Sequence, residues 1–339
     1  MNIIKHTLRN EDMDVLKGIG MCLVLIAHSA GGFVHTFAYS FHMPLFFIAS
    51  GYFYKPRGIM EGIKSDFKRL MIPFFFTEIV IFVGSILLIG VGNNNIVRPS
   101  EALEMLYYGN GGSDNYGKIW GNFASVGSVW FLPALFWAKT IYNAINHITP
   151  PSGIYKIILS TILCVFAVVI GQLIVFPFCM FQAMSAVIFI ALGHAVHEYG
   201  IDNISNEVWK RFIISLCIVG WLVSSMFDVF DIYQMRWKLF VLPNIIFACT
   251  GTFVFFQISR TIVVKLNNLK KFLCWFSTYA IIILCFAPIK YYLLPIEDIF
   301  PFEGLLHKLI VIGFKVFWVY ATVQLVLLIK PLKMIFKIK

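Results

Sequence analysis

Residues 14–29 read DVLKGIGMCLVLIAHS, an apolar run with a lysine near one end and a histidine eleven residues later. An Asp, Lys or Arg at mid-membrane costs roughly 2.5–3.5 kcal/mol on insertion scales, so ionisable groups in such a run are usually retained for a task. Eleven residues are almost three turns of α-helix, which puts Lys17 and His28 on one face, about 16 Å apart along the axis. Asp14, three residues before Lys17, is within reach to pair with it. A second histidine, His42, lies near the start of the segment FHMPLFFIASGYFY at residues 41–54. A returning segment brings His42 in at roughly the depth of His28, and two imidazoles at one depth describe a polar pocket. Burial disfavours the imidazolium, so at least one ring is expected to be neutral, as a general base must be. The structural alternative is a snorkelling Lys17 and a His28 that hydrogen-bonds a neighbouring helix. The second histidine shifts the balance towards chemistry.

The elements that must hold these residues are helices in lipid. Of the 339 residues, 59% are hydrophobic and only 13% charged, with a mean hydropathy of +0.82. A bilayer is the natural solvent for that composition. Apolar segments separated by polar or Pro/Gly/Asn breaks predict ten transmembrane helices near 14–33, 37–54, 71–92, 126–147, 155–176, 180–197, 212–230, 237–258, 272–293 and 305–330. The expected fold class is therefore all-α and polytopic, one transmembrane domain over 1–339. The second segment contains Pro44 and Ser50-Gly51 and is expected to be broken or tilted, and the fifth and sixth could merge around Pro177. The polar start leads straight into the first span without a small-residue cleavage site, so the first helix is expected to act as its own insertion signal.

The net charge of +10 is read as topology, not as affinity for nucleic acid. Twenty Lys and Arg residues share one side, in the clusters around Lys17, Lys55–Arg69, Lys139–Lys156, Lys210–Arg211, Arg260–Lys271 and Lys330–Lys339. Six lie on the other: Arg98, Lys118, Arg236, Lys238, Lys290 and Lys308. That asymmetry predicts both termini in the cytoplasm. The seven cysteines lie almost entirely in apolar runs, with no CxxC and no Cys/His metal spacing, and read as small core side chains with no metal site.

The combination resembles bacterial acyltransferase family 3, integral membrane O-acyltransferases of surface glycans that include fucose O-acetylase-like members. The similarity rests on the Lys17-x10-His28 spacing with Asp14 ahead of it and on FHMPLFFIASGYF. It also rests on Lys68-Arg69-Leu-Met-Ile-Pro73 before the third span, on Val129-Trp-Phe-Leu-Pro133 opening the fourth, and on the ten-span layout. The resemblance implies transfer of an acyl group, most often acetyl from acetyl-CoA, to a sugar hydroxyl, with Lys17 and His28 as the motif on which activity depends. Two departures are visible. Asp66 stands where relatives often carry the first arginine of Arg-x-x-Arg, and the stretch from Ser277 to Pro288 lacks a histidine frequent there.

The residues allow a direct mechanism. A CoA thioester, a co-substrate rather than a bound cofactor, enters from the cytoplasm; its phosphates meet Lys68 and Arg69, with Lys64 as a further candidate, and Lys17 meets a phosphate or the pantetheine arm. His28 removes the proton of an acceptor hydroxyl as it attacks the thioester carbonyl. His42 is the candidate donor to the developing oxyanion, with Ser50 or backbone amides at Ser50-Gly51 as alternatives. An acyl-histidine intermediate is a further alternative. Trp130 and Phe131 offer a platform for the glycan or lipid-linked sugar acceptor, or serve as interfacial aromatics. Glu78, about two turns into the third segment, pairs structurally or orients a histidine; His194 and His197 read as structural, and Asp228 and Asp231, flanking the outer end of the seventh segment, as solvated ends, with contact to sugar hydroxyls as the alternative. The expected location is the bacterial cytoplasmic (inner) membrane. A transporter or flippase for a lipid-linked saccharide is the alternative, although no internal repeat supports it. No GxxxxGK[ST] loop is present to suggest a soluble nucleotide enzyme.

Overall fold

In the computed structural model, residues 10–30, 32–87, 97–109, 125–200, 206–226, 230–237, 241–293 and 304–338 are described. The side chains of residues 27–33, including that of His28, lie outside the description, as do Asp114, Tyr116, Lys118, Trp120, Asp228 and Lys238. Helices follow one another as α1 Glu11–Ala30, α2 Gly32–Tyr39, α3 His42–Tyr52, α4 Ile59–Asp66, α5 Ile72–Leu87, α6 Pro99–Tyr108, α7 Phe131–Ile148, α8 Gly153–Gly171, α9 Met180–Tyr199, α10 Glu207–Met226, α11 Val241–Lys265, α12 Asn267–Thr278, α13 Ala280–Leu293, α14 Gly304–Leu328 and α15 Lys330–Ile335. Extended pairing among the described residues is limited to one isolated bridge between Asp231 and Arg236.

Where they are described, the predicted apolar segments are largely helical, but they are not all single spans. Among the described residues, five stretches are long and apolar enough to cross a membrane: Ile59–Leu87, Gly153–Gly171, Pro177–Tyr199, Val241–Lys265 and Ile310–Leu328. The pair α12–α13, bent by 66° at Tyr279, makes a sixth if it is counted as one span. The expected second span is two helices of 8 and 11 residues. Pro44 explains the break: it has no N–H to donate, and its ring collides with the carbonyl four residues earlier, at Ser40, so α3 starts just before it. The fifth and sixth segments do not merge. They are separated by a 3-10 turn at Pro177–Cys179, where Phe178 and Cys179 take left-handed backbone angles (φ 54° and 53°).

Pro73 has a related effect. The turn before α5, Phe67–Met71, is a π-helix, in which the amide of Ile72 donates to the carbonyl of Phe67, five residues back. The proline cannot serve the carbonyl of Arg69, and the wider turn accommodates that defect while keeping residues 59–87 one continuous helix. At the other end of the chain's first helix, the side-chain oxygen of Asn10 accepts the amide of Met13 at 3.1 Å, and Glu11, Asp12 and Asp14 complement the helix dipole.

α9 is the hub. Phe181 to Ala195 are buried on most sides, against α3, α7 and α8. Its crossing with α3 is backbone against backbone. A Cβ at Gly51 would lie 2.0 Å from the carbonyl oxygen of Ile190, and one at Gly193 would lie 2.0 Å from that of Ile48. Small residues permit such close approach in lipid, where packing rather than water exclusion drives association. The crossing fixes α3, which carries His42, Phe46 and Ser50 towards the site.

Candidate active site

Two cavities lie along α1 and α3. The first, of about 440 Å³, is basic: Lys17, Lys55, Arg57, Arg69 and Lys139 line it, against the single carboxylate of Asp66. Lys17 is held by Asp14 at 2.7 Å, and Asp14 also accepts a hydrogen bond from Ser277 at 3.4 Å. Asp66 is buried and divides its two oxygens between Arg57 at 2.5 Å and Lys139 at 2.6 Å. The loop that carries Arg57 is pinned by Asn143, which donates to the carbonyl of Arg57 at 3.0 Å and accepts the hydroxyl of Tyr54 at 2.7 Å. Lys55 and Arg69 make no ion pair among the described residues, so the cavity carries a surplus of positive charge. That arrangement suits a polyanion such as a phosphorylated donor.

The second cavity, of about 360 Å³, is polar and aromatic. His35, Tyr39, His42, Trp130, Asp231 and Tyr233 are part of its wall. His42 is buried, and its Nδ1 lies 2.8 Å from the carbonyl oxygen of Ala38. A carbonyl only accepts, so Nδ1 carries the proton, and in the neutral ring the lone pair sits on Nε2. Trp130 and Tyr233 place their rings 5.2 Å apart, and Tyr233 and Ser125 share a hydrogen bond of 2.9 Å. Asp231 accepts the amides of Tyr233 and Gln234 at 2.8 and 3.4 Å, which folds the turn up to Arg236. Burial pushes the Asp231 carboxyl up to about 6. Aromatic faces beside hydrogen-bonding groups match a sugar, whose ring has both C–H faces and hydroxyls.

Both cavities border the same three side chains, Phe46, Phe131 and Leu284. Along α1, Lys17 belongs to the basic cavity and Val24 to the aromatic one. Position 28 follows one helical turn beyond Val24.

The sequence-predicted residues distribute as follows. Lys17, Ser50 and Arg69 line the basic cavity, His42 and Trp130 the aromatic one, and Phe131 both. Lys68 is exposed and stands outside both linings, and Gly51 is buried in the α3–α9 crossing. Glu78 is 3% exposed, and neither carboxyl oxygen has a hydrogen-bond partner among the described residues. It lines neither cavity. His194 bonds the hydroxyl of Tyr142 at 2.6 Å. Asp231 is not the solvated helix end expected from sequence, because the turn at 230–237 folds inward and buries it. The roles of Arg57, Lys139 and Tyr233 went unrecognised in the sequence. The two cations read there only as topological charges, and their common partner Asp66 is the clue to the contrary.

The family model of the acyltransferase domain of acyltransferase family 3 matches residues 10–328. No curated protein and no solved structure matches the chain significantly. An acyltransferase domain requires an acyl donor and an acceptor, and the two cavities offer distinct surroundings for them. With a match over nearly its whole length, this multi-pass helical membrane protein belongs to acyltransferase family 3.

Proposed function

We propose that the protein transfers an acyl group, most readily acetyl, from a CoA thioester in the basic cavity to a sugar hydroxyl of a surface or lipid-linked glycan in the aromatic cavity. The observation that carries this reading is the pairing itself: a cationic cavity and an aromatic, hydrogen-bonding cavity share a wall beside the helix that bears Lys17 and His28. The excess of Lys and Arg near the basic cavity favours a cytoplasmic donor side, both termini in the cytoplasm and the inner membrane as the location.

Arg69, Lys55, Arg57 and Lys17 hold the phosphates, and the pantetheine arm carries the thioester towards the shared wall. The acceptor oxygen attacks the thioester carbonyl while His28 takes its proton. The C–S bond then breaks, and the departing thiolate recovers a proton from the imidazolium. His42, its ring fixed by the Nδ1–H donated to the carbonyl of Ala38, lines the aromatic cavity and orients the acceptor there. It becomes an oxyanion donor only as an imidazolium, which leaves the Ser50 hydroxyl as the neutral candidate for that role.

Mass analysis of envelope glycans from a deletion strain, complemented with wild type or His28→Ala, tests the reading. A general base contributes roughly 10²–10⁴-fold, so His28→Ala should lose acyl product by at least a hundredfold at equal membrane level. Identical glycans in the deletion and wild-type strains would overturn it.

A further inference from the structure

The wall between the cavities comes from three helices: Phe46 from α3, Phe131 from α7 and Leu284 from α13. It is held from behind. Phe131 is met by Phe46 at 5.7 Å between ring centroids and by the fully buried Phe47 at 5.2 Å. Leu284 is buried, and its carbonyl accepts the Ser128 hydroxyl at 3.0 Å, which ties α13 to the turn that leads into α7. On one side of the wall stand Ser50 and Lys17, on the other His42 and Ser128. The level between them is apolar on all three contributing helices.

We infer that Phe46, Phe131 and Leu284 form a collar that receives the acyl chain and limits its length. The inference rests on the donor and acceptor assignment proposed above. A thioester presented from the basic cavity reaches an acceptor in the aromatic cavity only with its acyl group at this level. In this proposal the two rings and the branched side chain accommodate a methyl group, and longer alkyl carbons must displace one of these packed neighbours. In a well-packed apolar pocket one methylene changes selectivity by roughly 10–200-fold. The collar also separates the water of the two cavities, which protects the thioester from hydrolysis while no acceptor is bound.

The test uses membrane vesicles from a deletion strain expressing each variant of the full chain, so that the endogenous acceptor is present. Acetyl-, propionyl- or butyryl-CoA is supplied at equal concentration, and acylated glycans are read by mass spectrometry. Wild type is expected to favour acetyl, and Phe46→Ala should raise the butyryl-to-acetyl ratio at least tenfold. Leu284→Ala, on a different helix, should shift the ratio in the same direction, so misfolding of one variant leaves the comparison standing. Acetyl transfer with ratios within twofold of wild type in the folded variants would overturn the collar alone. No transfer from any thioester by wild type would overturn the collar together with the donor assignment.

Discussion

Lys68 and Arg69 are adjacent basic residues, yet the structure separates them: Arg69 lines the basic cavity and makes no ion pair among the described residues, while Lys68 stands outside the lining. A hydrogen bond to a charged group contributes about 1.5–3 kcal/mol. Arg69→Ala should therefore raise KM for acetyl-CoA roughly tenfold or more with kcat nearly unchanged, the pattern of lost uniform binding. Lys68→Ala should stay within about twofold in both constants, since an exposed cation outside the site contributes little. Steady-state kinetics on purified protein in vesicles read the contrast. Sequence could not separate the pair because both satisfy the same positive-side bias, and only the folded chain shows that Arg69 alone borders the cavity. The positions carried by helix spacing were legible, Lys17 and His42 among them. Arg57, Lys139 and Asp66 were not, because a loop, α7 and α4 meet only in the folded chain.

At the scale of elements, the α3–α9 crossing sets where α3 presents its functional face. Gly51→Ala and Gly193→Ala each push a methyl group into a carbonyl 2.0 Å away. Overpacking typically costs about 1–3 kcal/mol, so both variants should melt lower in detergent than wild type and accumulate less in the membrane. Gly313→Ala on α14, with open space around it, is the control and should melt at or slightly above the wild-type temperature. Fluorescence-detected thermal unfolding distinguishes these outcomes. The helical nature of the segments was readable from their apolar length, whereas their division was only partly so. Pro44 marked the second segment as breakable, but the 66° bend at Tyr279 has no proline or glycine beside it. Its origin is tertiary: α12 packs on α1, and α13 packs on α5.

At the scale of the whole molecule, the uneven distribution of Lys and Arg makes a topological statement. A reporter active only in the cytoplasm, fused after Lys339, should be active, and one inserted within residues 110–124 should be silent. The reverse pattern would invert the assignment of donor and acceptor sides. This orientation is an expectation from sequence, because charge placement is one-dimensional information. Sequence could not supply the two cavities, whose shared wall joins residues far apart along the chain, at 46, 131 and 284. The matched glycines of α3 and α9 bear on how relatives of this protein diverge. Each faces a carbonyl of the opposite helix rather than a side chain, so no substitution on the partner can make room for a larger residue. Among descendants that keep this crossing, the two positions should stay fixed yet carry no mutual covariation, so a contact map inferred from correlated substitutions would be blind to this backbone-to-backbone approach.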